Sequence, residues 1–312
     1  MGFLSEIVLP NGYPVRHVTA GGALSFDGRG WPWEWPHRLL GRLDPSAFDA
    51  NITKTIQWDP VIGNLDLRKP WTYIPAFPTS CVRYFGERGV VNKVGHSNPG
   101  FFWWYNTIGK TDKLKRYKLV PSIYGTKEEL LKMGSLLNGL DLIAVQLIVS
   151  CPNIQDGQLD PETIYDIVYS FRLVCRHPIF LKLSAAQPYE KIAGATWSEV
   201  SAYTINSVPF SHAYPKGSLV KTPVAWLEKR VGAGGGGISG VPAQPWNFPM
   251  VAKIKVAAPK ANVIASSVMG YDDIRVVRNL GAGAIAHGTS FIFNPADPNR
   301  WVARDLKEQS LT

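Results

Sequence analysis

The feature that most constrains this chain is an alternation over its last two-thirds. Short apolar, β-branched runs are separated by stretches with helix signals. Residues 142–149, 178–183 and 262–265 are nearly continuous hydrophobic runs. Such runs read as strands buried on both faces. Between them, residues 126–137, 161–175 and 271–279 read as helices. Thr126 is followed three positions later by Glu129, the spacing of a capping box. Asp160 precedes Pro161, which pairs a capping carboxylate with a proline suited to the first helical turn. Strand–helix–strand alternation implies a parallel sheet, either closed as a barrel or open and doubly wound. No repeat or long polar linker divides the 312 residues, so the expectation is one α/β domain spanning 1–312.

Composition bounds the function classes. With 45% hydrophobic and 18% charged residues, the chain has material for a large core and is too apolar to be disordered. The N-terminus has no basic region followed by an apolar run, and no stretch of about 18 apolar residues occurs. The expectation is therefore a cytoplasmic protein without a membrane segment. Three cysteines, Cys81, Cys151 and Cys175, lack metal-ligand spacing. They point to a reducing compartment, with no metal site. The net charge of +9 is dispersed, and its densest cluster, residues 110–118, is weak grounds for nucleic-acid binding. The tryptophans of residues 31–36 read as a loop covering the body of the fold.

Several positions carry chemistry. Gly288 and Thr289 follow the apolar run 284–287, and residues 232–240 are rich in glycine. Glycine backbone can approach a phosphate closely, although such a run is also simply a turn. Lys54 and Lys182 each interrupt a strand-like run. A lysine directed into a barrel needs an anion or polar ring, unless it snorkels at a strand end. Cys151 stands where an apolar run ends at a proline. Catalytic groups project from the C-terminal ends of barrel strands, and a thiolate can remove a proton. Cys175 reads as inert packing.

Seven segments, taken in order, resemble the signatures of dihydroorotate dehydrogenases. They are residues 53–55, 92–100, 149–153, 181–183, 205–207, 236–240 and 288–289, within a resemblance that runs over 20–293. The resemblance implies a (β/α)8 TIM barrel binding FMN at the C-terminal face of its strands. FMN would be contacted by Ala20, Gly21, Gly22, Lys54, Lys182, Ile205 and Ser207, and its phosphate by Gly236, Gly237, Ser266, Ser267, Gly288 and Thr289. Substrate would be held by Asn92, Gly95, His96, Asn153, Asn206 and Ser207. Cys151 would be the general base, as in the soluble class 1 enzymes, while hydride passes to flavin N5. The implied reaction oxidises dihydroorotate, or a related cyclic anion, in pyrimidine biosynthesis. The family resemblance also suggests a homodimer. The electron acceptor stays open among fumarate, a quinone, oxygen, and NAD through an iron–sulfur partner.

The chain departs from the family at informative places. Ile148 stands three residues before the cysteine, where the family has an asparagine that touches flavin and substrate. Ser266 and Ser267 replace a glycine pair, His96 replaces a residue that is commonly apolar, and the interval from Lys54 to Asn92 is long, with an inserted loop at about 65–88. Two rival readings accommodate these residues. One is a catalytically altered barrel that keeps FMN; the other is a flavoenzyme acting on RNA, similar to the dihydrouridine synthases.

Overall fold

The computed structural model describes residues 6–68, 74, 80–149, 159–215 and 236–309. Nine strand segments form one sheet, and the segments at its two ends, Leu119–Val120 and Ser122–Ile123, flank Pro121 in the chain. Counted as one interrupted strand, they close the sheet into a barrel. Its strands are β1 (His17–Thr19), β2 (Ala50–Ile52), β3 (the interrupted strand), β4 (Val145–Ile148), β5 (Ile179–Leu183), β6 (Ala202–Ile205), β7 (Val263–Ala265) and β8 (Ala284–His287). Every ladder is parallel, and β8 returns to β1. The seam falls at Pro121 because proline has no N–H to donate to a neighbour. Its carbonyl still accepts the Gln146 N–H at 2.9 Å. The barrel alternative is thus the one adopted.

The helix signals mark real ends. Helix α1 (Lys127–Leu137) begins at the Thr126 box, with the Glu129 carboxylate accepting the Thr126 N–H at 2.8 Å. In α2 (Pro161–Val174) the Asp160 carboxylate accepts the Thr163 N–H at 2.8 Å, and Cys175 leaves the helix in extended geometry. Two further helices are α3 (Tyr189–Thr196) and α4 (Gln244–Ala257), both absent from the sequence reading. Pro249 lies inside α4 and hides the helical signal, since proline ordinarily ends a helix. Helices α5 (Tyr271–Asn279) and α6 (Asp297–Gln309) complete the outer layer. The strands are shorter than the apolar runs that announce them. Leu142 and Ala144 are buried but precede the β4 ladder, so hydrophobicity reports burial rather than pairing.

Side chains along each strand alternate between the barrel interior and the helix layer. On β4, Val145 and Leu147 join the large cluster under the helices. A smaller cluster combines Val18, Ile52, Phe180 and Ile264 with Ile7, Leu9 and Val15. Ile7 and Val15 come from the antiparallel pairing of Ile7–Val8 with Pro14–Val15, and Leu9 from the turn between them, packed among residues of the barrel strands. Above this apolar layer lies a polar one. The Ser122 hydroxyl donates to Gln146 Oε1 and Gln146 Nε2 donates to Thr204 Oγ1, each at 2.9 Å.

Outside the barrel wall, His17 and His287 stack, with His17 Nδ1 3.0 Å from His287 Nε2 and His17 Nε2 2.9 Å from an Asp305 oxygen. Arg278 grips both oxygens of Asp305, tying α5 to α6. A second, antiparallel sheet joins Val82–Tyr84, Gly89–Asn92, Gly237–Gly240 and Val208–Pro209 beside the barrel mouth. The region expected to be an inserted loop therefore ends in a strand, Val82–Tyr84. It alternates weakly and pairs only across a tight turn.

Candidate active site

A cavity opens at the C-terminal ends of the strands, where a barrel exposes the loops that follow each strand. Its lining gathers residues far apart in sequence. Ala20, Gly21 and Gly22 follow β1, Lys54 follows β2, and Ile148 and Lys182 lie on β4 and β5. Ile205, Asn206 and Ser207 come from the end of β6, Ser266 and Ser267 from the end of β7, and Gly288 and Thr289 from the end of β8. Asn92 and His96 enter from the long excursion between β2 and β3. Gly95, Gly236 and Gly237 do not line this cavity. Gly237 pairs with Asn92 in the second sheet, and a Cβ on Gly236 would sit 2.2 Å from the Asn92 carbonyl oxygen. Cys151 and Asn153 lie outside the described residues.

Two lysines make part of the lining cationic. Lys54 is buried, and its ammonium donates to the Ser97 carbonyl at 2.5 Å. Lys182 reaches the floor beside the polar layer, where a Cβ on Gly21 would stand 3.4 Å from both its Nζ and Gln146 Oε1. His96 adopts the left-handed backbone conformation at φ 57° and lays its ring on Tyr124, centroids 4.8 Å apart. Burial first, then the charges of Lys54 and Lys182, push its pKa down to about 4. Near neutrality His96 is therefore an uncharged hydrogen-bonding group.

At the ends of β7 and β8 the wall becomes a set of hydroxyls and bare backbone. Ser267 sits at φ 65°, a conformation that favours glycine. Ser267 thus takes up backbone geometry that a glycine would adopt without strain. It is held there by Asn247 of α4, whose Nδ2 donates to Ser267 Oγ at 2.9 Å and to the Asn206 carbonyl at 3.2 Å. Gln244 Nε2 donates to the Ser267 carbonyl at 3.0 Å. The sequence reading missed Asn247. The available signal was an amide sharing the buried helix face of Met250, Val251 and Ile254.

The lining also includes apolar residues, Trp31, Val82, Val90 and Ile292, and one carboxyl, Glu34. Trp31 is buried and donates its indole N–H to the Gly22 carbonyl at 3.1 Å. The tryptophan segment thus covers the barrel mouth, and Trp31 also forms a cavity wall. Burial raises the Glu34 pKa to about 8, against the opposing pull of the Trp31 N–H and Arg38. Among the described residues lining the cavity, Glu34 is the one acid, and it is protonated at neutral pH.

Elsewhere, the basic stretch 110–118 is largely engaged within the fold. Lys110 lies over the Tyr105 ring, Lys115 pairs with Asp141, and Lys118 donates to the Ser46 and Phe48 carbonyls. Cys175 is buried, and its thiol is raised chiefly by burial. Among the described residues no helix is long and apolar enough to cross a membrane, and no group of three or more His, Cys, Asp or Glu side chains is placed to hold a metal ion.

No protein-family model matches the chain. Curated relatives do. The catalytic subunit of dihydroorotate dehydrogenase B (NAD(+)) from Caldicellulosiruptor saccharolyticus is 29% identical over 269 residues, covering 81% of this chain and 79% of the relative. A putative dihydroorotate dehydrogenase A (fumarate) from Aeropyrum pernix is 28% identical over 210 residues, covering 65% and 66%. Among solved structures, the dihydroorotate dehydrogenase of Eimeria tenella in complex with ferulenol superimposes with a TM-score of 0.68 at 13% identity, covering 97% of this chain and 83% of that one. With likeness over four-fifths of its length and the same barrel fold, the chain is similar to the dihydroorotate dehydrogenases.

Proposed function

We propose that the protein is an FMN-dependent oxidoreductase that removes two hydrogens from adjacent carbons of a small cyclic anion, dihydroorotate or a relative of it, with Cys151 as the base. The observation that carries this reading is convergence. Residues from Ala20 to Thr289, expected to serve one cofactor and one substrate, meet in a single cavity at the strands' C-terminal ends.

The cavity residues fit a phosphate-bearing flavin. Ser266, Ser267, Gly288 and Thr289 offer hydroxyls and backbone N–H groups to a phosphate, while the side-chain-free surface of Gly21 and Gly22 suits the approach of a flat ring. Bound FMN would supply the acceptor for a hydride. The remaining work belongs to the chain. Lys54 and Lys182 balance negative charge. Asn92, Asn206 and Ser207 orient the substrate, since amide side chains offer both donors and acceptors. Cys151, three residues beyond the end of β4, takes the proton from the carbon next to the hydride donor, so that a C–C single bond becomes double. A homodimer belongs to the same reading.

The test is anaerobic stopped-flow absorbance of the purified protein mixed with excess dihydroorotate, with Cys151→Ser alongside. The expected result is a yellow protein whose flavin band bleaches, with bleaching slowed by about 100-fold or more in the variant. A colourless protein that takes up no added FMN sinks the reading.

A further inference from the structure

The inward-facing positions of β4 carry a Gln146–Ile148 sequence that limits what can lie against the cavity floor. Gln146 is already engaged, with Ser122 on one side and Thr204 on the other. Ile148 is the next inward side chain towards the mouth; it is 4% exposed and lines the cavity, with Lys182 as its register partner on β5. A branched alkyl group neither donates nor accepts. A ligand N–H or C=O placed over it loses its water without replacement, at about 1–3 kcal/mol. A hydrocarbon edge in the same place is favoured by burial instead.

The surroundings add two constraints. Lys54 and Lys182 favour a ligand with negative charge beside them. His96, kept uncharged by burial and by those lysines, contributes a neutral polar atom beside the Tyr124 ring rather than a third cation. The combination is negative charge near the lysines and little polar contact on the Ile148 side.

Resting on the reading of this cavity as a flavin-and-substrate site, we infer that Ile148 is a specificity-determining residue. It selects a cyclic carboxylate that presents a hydrocarbon edge to β4, in preference to a cyclic ureide such as dihydroorotate. The amide-rich ring of a ureide would place a donor or acceptor against Ile148. A carbocyclic acid of the same size keeps the carboxylate for the lysines and makes no such demand.

Isothermal titration of the flavin-loaded protein with two unsaturated ring carboxylates decides the matter. The probes are orotate and cyclohex-1-ene-1-carboxylate, which have the same ring size and the same position of the carboxylate on the double bond. Wild type is expected to bind the carbocycle at least about tenfold more tightly. Ile148→Val, which stays apolar, should keep that preference within about threefold, and Ile148→Asn should reduce it by about tenfold or more. Tighter orotate binding by wild type overturns the inference, as does a preference unchanged by Ile148→Asn. If the asparagine variant does not fold, the wild-type preference decides alone. A flavin-loaded protein that binds neither probe overturns the substrate reading of the cavity as well, whereas reversed selectivity leaves flavin reduction and the Cys151 test standing.

Discussion

The outer wall and the barrel mouth both bury ionisable groups, and they differ in what those groups face. In the wall, Arg278, Asp305, His17 and His287 form a continuous series in which each group has a neighbour of suitable polarity. Burial alone would raise the Asp305 carboxyl, but hydrogen bonds from His17 and Arg278 and the guanidinium charge hold it below the ordinary aspartate range. His287 is driven well below the usual histidine range by burial and by its neighbour His17. At the mouth, Glu34 and His96 are likewise held neutral chiefly by burial, but there the lysines face a space that a ligand can enter. Charges arranged to satisfy one another support the fold. Groups whose ionisation is suppressed beside a cavity cost stability and mark a candidate functional site.

The strongest way to break this comparison is Asp305→Asn. It should lower unfolding free energy by about 3–5 kcal/mol in denaturant titration, because Arg278 and His17 lose a buried anion. A loss below about 1 kcal/mol would mean that the wall series is not a structural clamp.

The mouth predicts a pH signature. Glu34 has a raised folded pKa, so as pH rises from 4.5 towards 8 the unfolded chain releases a proton that the fold retains, and stability falls. His96 has a depressed folded pKa, so as pH falls from 6.5 towards 4 the unfolded chain binds a proton that the fold refuses, and stability falls again. Glu34→Gln should therefore stabilise the protein at pH 8 by on the order of 3 kcal/mol and have little effect near pH 5. His96→Asn tolerates the left-handed turn and should remove the acid-side loss, on the order of 2 kcal/mol at pH 4. Parallel stability curves for wild type and both variants would contradict the contrast.

The smallest effect sharpens the comparison from the side of the wall. Thr126→Ala should cost about 1 kcal/mol by removing the α1 cap, at every pH between 5 and 8 and without altering ligand binding. A change in ligand affinity would couple the helix layer to the mouth more closely than the separation described here.

The sequence showed the barrel's spine because strands buried on both faces have to be apolar, and the caps at Thr126 and Asp160 are local chemistry. It could not settle closure, which depends on the seam at Pro121 and on non-local pairing. Lys54, Lys182 and the residues at the ends of β6, β7 and β8 were legible through family segments. Asn247 was not, because a buried amide within a proline-containing helix resembles an interruption. Trp31 and Glu34 were missed as cavity walls for a different reason: the turn that brings them under Gly22 leaves no periodic trace. The left-handed geometry of Ser267 was hidden as well, since serine advertises no such preference.

The hairpin of residues 7–15 gives the barrel a fixed base and leaves it an editable rim. With Ile7, Leu9 and Val15 packed among residues of the barrel strands, substitutions at positions such as 148, 96 and 266 fall outside that apolar cluster, on the cavity. Such a division lets a lineage exchange one ligand for another without renegotiating how its walls stand, so drift in chemistry can run ahead of any drift in architecture.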